Sequence, residues 1–333
     1  MMNALSANHV ALICWLCASC SHYVASSQSV IPRDTTYTVS GTFAKLKKQY
    51  PDIAKVEPRT HPQVNEQRDV VYQTFGQTLF GKRELHADVF LPVKGNSRPA
   101  IVLVHGGGWR AGDKSMNTPM AQELALRGIV AISIEYRLSL EAKYPAAVQD
   151  VKSAVAWVRQ HAAQLGVNPH AIAVGGASAG GQLAALTGAT NGVAMLGGEE
   201  MPQPELSTVQ AVVDMDGILD FMHPESLALK RNANNADVFW FGGDYNALPN
   251  RWKEASPVSW IKKNAPPFLF VNSSQTRFHA GYQTVVSRLD AAGIYNEVHV
   301  LKHAPHSYWL FDPWFAPTVD YITMFLNKVF NKN

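Results

Sequence analysis

The sequence predicts an α/β fold, a mostly parallel central sheet covered by helices on both faces, behind an N-terminal extension. Three features predict it. From Asp69 onward, strand-like and helix-like stretches alternate, the pattern of parallel strands joined by crossover helices. Runs such as "PAIVLVHGG" and "IVAISIEY" are apolar and β-branched with turn residues after them, as strands covered on both faces are. The 333 residues, 47% of them hydrophobic, can also bury a sizeable core.

The elements follow in order. "MMNALSANHVALICWLCASCSHYVASSQ" has an apolar run from Val10 to Ala18 and then small and polar residues. That length suits the core of a signal peptide and is too short for a bilayer span. Residues 1–25 are therefore read as a signal peptide, although no Lys or Arg precedes Arg33, and the protein is expected outside the cytoplasm: periplasmic, anchored at an outer membrane, or secreted. "CASC" resembles a lipobox and makes Cys20 a candidate lipid anchor, the expected membrane contact; cleavage near Ser26 is the rival. Cys14, Cys17 and Cys20 all fall here, which excludes a disulfide framework. With 29 basic against 26 acidic residues and no basic run, nothing favours nucleic acid.

Residues 26–68 read as an extension packed on the domain, polar and marked by Pro32, Pro51, Pro58 and Pro62 around one helical candidate, "GTFAKLKKQYPDI". Residues 69–333 form the main domain. "VVYQTF" and "HADVFLP" suggest an antiparallel pair. "AAVQDVKSAVAWVRQHAAQLG" carries Val148, Val151, Val155 and Val158 at helical spacing and stops at Gly166. Then follow the strand "AIAVG", the helix "QLAALTGA", the strands "VQAVVDMDG" and "PPFLFVNS", the helix "AGYQTVVSRLDAAG", the strand "NEVHVLK", and a last helix from Pro317 to Phe330. Working residues in such sheets gather beyond the carboxyl ends of the strands.

Three motifs lie there. "GASAG", Gly176 to Gly180, is a G-x-S-x-G between strand and helix, where glycines permit the tight turn that exposes a nucleophilic Ser178. "VLVHGGGWRAGD" sets glycines after another strand, so the backbone N–H groups of Gly107 and Gly108, with that of Ala179, are assigned to an oxyanion hole. His105 reads as a brace for this loop. "HVLKHAPHSYWLF" offers His303 and His306 after the last strand, and His306, past the proline, is preferred as general base. Trp109, Tyr308 and Trp309, among the aromatics crowding this side, suit sugar rings, and Arg277 suits an acidic group on a substrate. The chemistry needs no metal or cofactor.

In motif order and context, the chain from about Asp69 to Phe330 resembles the α/β-hydrolase superfamily, near the esterases with an H-G-G-G loop; "YRLSLEAKYPAAVQDVKSAVAWVR" resembles their stretch between loop and elbow. "NSSQTRFHAG" and "HSYWLFDPWF" are most similar to bacterial secreted carbohydrate esterases of the pectin and xylan acetylesterase kind. The resemblance implies an α/β-hydrolase fold and a serine ester hydrolase that deacetylates a plant cell-wall polysaccharide (pectin, xylan or xyloglucan) through an acyl-enzyme. A general short-chain carboxylesterase or lipase is the alternative, and a non-catalytic binding protein of this fold a third.

One departure stands out. The resemblance implies a triad acid near Thr276, its usual place in most members of the superfamily, yet no Asp or Glu occurs between Phe268 and Gly281. Asp216, at the end of the preceding strand in an Asp-Gly step, is taken as the acid, as in pancreatic-type lipases. Asp214, Asp220, Glu225, Asp312 and a Ser178–His306 dyad held by a carbonyl stay open.

Overall fold

The computed structural model describes residues 30–197 and 203–330. The expected signal peptide, with Cys20 and the cleavage site near Ser26, lies outside the described residues. Among the described residues ten strands run in chain order: β1 (Ala54–Lys55), β2 (Val64–Thr78), β3 (Gly81–Pro92), β4 (Arg98–Val104), β5 (Val130–Ile134), β6 (Val167–Ala177), β7 (Ala211–Met215), β8 (Phe268–Asn272), β9 (Asn296–Val300) and β10 (Phe311–Asp312). Eight of them form one sheet in the order β2-β3-β5-β4-β6-β7-β8-β9. The pairs β2–β3 and β3–β5 are antiparallel, and every later pair is parallel.

The anticipated opening pair is β2 with β3, and β2 begins at Val64, upstream of Asp69. Its register shifts between Gln67 and Val70, where Asp69 takes a φ of 54°. A bulge of this kind lets one strand absorb an extra residue. The position expected to separate extension from domain thus falls inside a strand; "VNEQRD" is polar, and along it only Val64 is buried.

Each parallel step requires a crossover. Between β4 and β5 it is made by α2 (Thr118–Leu126), a helix that the sequence reading does not anticipate and that opens on Pro119 in its first turn. Helices α3 (Ala146–Gln160), α4 (Ala162–Leu165), α5 (Ala179–Ala189) and α9 (Tyr282–Ala291) take later crossovers, with Gly166 closing α4 at a φ of 64°. The last helix, α10 (Phe315–Phe330), starts slightly before Pro317.

The two faces bury two cores. Ala100, Val102 and Val104 of β4 pack with α3, α5 and α9; Ile101 and Leu103 pack with α2 and α10. That alternation along a fully buried strand is the two-residue period of β-structure. Between β7 and β8 the short helices α6 (Pro224–Leu227), α7 (Ala236–Phe241) and α8 (Pro249–Glu254) roll over the carboxyl edge of the sheet. They are held by an aromatic cluster of Phe221, Trp240, Phe241 and Trp252, ring centroids 4.7–6.4 Å apart.

The extension crosses that same edge. Helix α1 (Val39–Leu46) is capped by Thr38, and β1 pairs antiparallel with β10. Upstream, Asp34 bridges to Ala111 and pairs with Arg110 at 3.0 Å, and the Tyr37 hydroxyl lies 3.3 Å from Ser307 Oγ. The strap therefore touches both the glycine loop and the histidine loop. Among the described residues, no helix is long and apolar enough to cross a membrane.

Candidate active site

Ser178 sits between β6 and α5 with φ 55° and ψ −119°. A non-glycine residue held there is strained, and such strain persists only where neighbours enforce it. They do so here: the Ser178 N–H donates to the Met215 carbonyl at 2.8 Å. A Cβ on Gly176 would run into the Gly180 carbonyl, and one on Gly180 into the Val104 carbonyl. The two flanking glycines of the motif are thus steric necessities of the turn.

Gly106 packs against the elbow, where a Cβ would lie 2.8 Å from the Ala177 carbonyl. Gly107 and Gly108 then turn with φ of 125° and 61°, and the Gly107 carbonyl accepts from the N–H groups of Arg110 and Ala111. Ala179 opens α5, so its N–H has no partner one turn back. His105 is buried, stacks on Tyr136 at 4.4 Å and donates from Nδ1 to the Gly106 carbonyl at 2.8 Å, while the Tyr136 hydroxyl donates to the His105 carbonyl. Arg137, the next residue, clamps Asp150 of α3 at 2.7 Å. "YRLSLEAKYPAAVQD" thus ties the glycine loop to the scaffold.

His306 follows β9 on its loop. The Ser178 hydroxyl donates to its Nε2 at 2.8 Å, and its Nδ1–H donates to Asp216 Oδ2 at 3.0 Å. Phe278 lies flat on the imidazole at 3.5 Å and Trp309 meets it edge-on at 5.1 Å. His303 is exposed.

Asp216 directly follows β7 at a φ of 52°, with its side chain fully buried. Burial alone would raise its pKa; hydrogen bonds from His279 and His306 more than offset this and hold the carboxyl at about 2. Asp214, two residues earlier and within β7, goes the other way. Its burial, then the charge of Asp216, pushes it well above the carboxylate range, and one oxygen accepts the Gly217 N–H at 2.9 Å. Two carboxyls with pKa values driven apart take different roles, and it is Asp216 whose surroundings favour the charged form.

The other acids stand away from the histidine. Thr276 is exposed and donates to Glu225 Oε1 at 3.2 Å, so the carboxylate nearest the customary acid position is tied to the threonine instead. Asp220 accepts from the Met222 N–H, and Asp312 is exposed on β10.

The expected sugar-facing aromatics need correction. Trp109 is 5% exposed, stacks on Trp240 at 4.6 Å and donates from Nε1 to Gln182 at 2.9 Å. Tyr308 has no exposed surface and its hydroxyl donates to the Val271 carbonyl. Trp309 is 4% exposed and backs His306. All three pack the interior under the site, because their polar tips or ring edges find partners there. Arg277 does reach the rim, its guanidinium 3.9 Å over Phe278. Nothing in the sequence singles out Phe278 or His279; the absence of an acid from "NSSQTRFHAG" is the one signal that this loop takes another role.

The profile of the BD-FAE family matches residues 87–283, more than half of the chain. The chain belongs to the BD-FAE family. Its fold is that of the α/β-hydrolase esterases. Esterase LipC of Mycobacterium tuberculosis is 31% identical over 236 residues, 69% of this chain and 58% of that protein. The chain spans about half the length of the curated relatives it matches. Among solved structures, a truncated form of a carbohydrate esterase from gut microbiota superposes with a TM-score of 0.70 at 26% identity, covering 83% of this chain and 99% of that one. An esterase from the Planctomycetes species Thermogutta terrifontis with propionate bound gives 0.64 at 26% identity, covering 81% and 95%.

The surroundings of His306 set an expected pH profile. Burial lowers its pKa, opposed by the Asp216 hydrogen bond and charge, with Arg277 and His279 adding to the lowering. A base must be neutral to take a proton, so the acid limb of kcat/KM for 4-nitrophenyl acetate is expected below the ordinary histidine value of about 6.5. A limb above that value contradicts the assignment of base.

Proposed function

We propose that the protein is a serine carboxylic-ester hydrolase, exported from the cell, that removes acetyl groups from a plant cell-wall polysaccharide. The observation that carries the hydrolase reading is the unbroken hydrogen-bonded line from Ser178 through His306 to Asp216, set at a strained elbow beside two glycines. Ser178 Oγ attacks the ester carbonyl carbon as His306 Nε2 takes its proton. The carbonyl oxygen becomes an oxyanion facing the N–H groups of Gly107, Gly108 and Ala179. His306 then returns the proton to the departing sugar hydroxyl, leaving an acyl-Ser178. Water, losing a proton to the same Nε2, attacks the acyl carbon and releases the acid. Asp216 keeps the Nδ1–H in place and balances the imidazolium charge.

The carbohydrate reading is supported by the carbohydrate esterase among the superposed structures and by the motifs "NSSQTRFHAG" and "HSYWLFDPWF". Arg277, exposed on the rim, suits an acidic backbone. A small acyl group is favoured because α7 crowds the glycine loop: a Cβ on Gly108 would lie 3.0 Å from Ala236. The Thermogutta esterase, which holds propionate, favours the second reading, a general short-chain carboxylesterase.

Acetate release from acetylated pectin, xylan and xyloglucan, measured side by side with 4-nitrophenyl esters, separates the two. Rates on the nitrophenyl series are expected to fall beyond about four carbons, since a pocket of fixed size excludes longer chains. Cleavage of the nitrophenyl esters with no acetate from any polysaccharide leaves only the plain esterase. Recovery solely from the cytosol of the native host removes the export reading.

A further inference from the structure

The carboxylate of Asp216 serves two imidazoles. His306 Nδ1–H donates to Oδ2 at 3.0 Å, and His279 Nδ1–H donates to Oδ1, also at 3.0 Å. The Ser273 N–H reaches the same Oδ1 at 2.8 Å. A carboxylate only accepts, so both histidines must carry their proton on Nδ1. His279 is buried, 5% exposed at its side chain, with its ring edge-on to Tyr282 at 5.1 Å.

The backbone holds it there. His279 ends a short 3-10 turn, Thr276–His279, on the loop after β8 where relatives keep their acid. The next carbonyl, that of Ala280, accepts from the N–H groups of both Leu219 and Asp220, which stitches this loop to the segment following Asp216. Gly281 has a φ of 88° and lies so close to Asp220 that a Cβ would collide with it. The loop that elsewhere presents a carboxylate to the base is here pinned to present an imidazole to a carboxylate on the neighbouring strand.

We infer that His279 is a positioning residue for the proposed reaction: it fixes the plane of the Asp216 carboxylate so that Oδ2 meets His306, and it draws charge from that carboxylate, which lowers the basicity of His306. The inference rests on the serine-hydrolase reading. Without the His279 donor, Oδ1 keeps only the Ser273 N–H, and the plane of the carboxylate is fixed by two donors instead of three. More of its charge then acts on His306, whose facing charged and titratable groups are Asp216, Arg277 and His279.

The test compares His279→Phe with His279→Asn, whose side-chain amide can donate from near the position of Nδ1. For His279→Phe, kcat is expected to fall about tenfold to a hundredfold, the range for losing a hydrogen bond to a charged group. KM should stay within about twofold, because His279 is buried behind the Asp216 carboxylate, and loss of transition-state stabilisation alone lowers kcat. The acid limb of kcat/KM should move to higher pH. His279→Asn should recover most of the rate and keep the wild-type limb. Three results overturn the inference: an unchanged kcat in His279→Phe, an acid limb that does not move, or His279→Asn as impaired as His279→Phe. Labelling of Ser178 by a fluorophosphonate keeps the two levels apart. A wild-type protein that does not react sinks the hydrolase reading itself, whereas equal labelling rates in wild type and His279→Phe sink only the role of His279.

Discussion

Ser178→Ala is expected to abolish hydrolysis of 4-nitrophenyl acetate and to leave thermal unfolding close to wild type. The substitution removes one hydroxyl and keeps the Cβ, so the strained φ of 55° and the hydrogen bond from the Ser178 N–H to Met215 survive. What disappears is the atom that attacks, together with its bond to His306. Loss of a nucleophile costs on the order of a millionfold in kcat where it has been taken apart in a serine hydrolase. His306→Ala should fail comparably. His303→Ala should not, because that side chain is exposed and contacts neither Ser178 nor Asp216. A folded Ser178→Ala protein with a tenth of the wild-type rate ends the acyl-enzyme reading, and exchanged behaviour of the two histidines moves the base.

The sheet and the positions of Ser178 and His306 were legible because they depend on local rules: apolar β-branched runs, a glycine-flanked serine between strand and helix, a histidine after the last strand. Asp216 was legible only as one candidate among several, singled out by the lack of an acid between Phe268 and Gly281 and by its Asp-Gly step at the end of a strand. Tertiary packing hid the rest. Trp109 and Tyr308 look like ligand faces in sequence, yet whether an aromatic faces a cleft or the core depends on Gln182 and on the Val271 carbonyl, which take up their polar tips. The second imidazole on Asp216 joins residues 63 positions apart, and no periodicity signals such a contact. Helix α2 is hidden in the sequence because "TPMAQELAL" carries little amphipathic pattern, although a parallel β4–β5 step demands a crossover.

Asp216→Asn is expected to lower turnover by about a thousandfold or more, the scale seen when the acid of a serine triad becomes an amide. The cause is the direction of one hydrogen bond. Asp216 accepts from His306, His279 and Ser273 at once, all three donors converging on a carboxyl held at about 2. An amide brings one NH₂ to this cluster, and wherever it turns it faces a donor. If it faces His306, the imidazole must shift its proton to Nε2 to accept, and an Nε2 that already carries a proton cannot take one from Ser178. If it faces His279 instead, the remaining oxygen still meets His306 but supplies no charge to the imidazolium. Asp214→Asn makes the control: burial pushes that carboxyl's pKa up and so disfavours its charge, and its one bond is to the Gly217 N–H and not to His306, so an amide of the same shape should leave kcat within about tenfold. Glu225→Gln and Asp312→Asn should likewise keep turnover, as both side chains are exposed and neither bonds the histidine. Near-normal turnover in Asp216→Asn, with loss in any one of these three, would place the acid elsewhere. It would also leave the buried bond between His306 and Asp216 without a catalytic purpose.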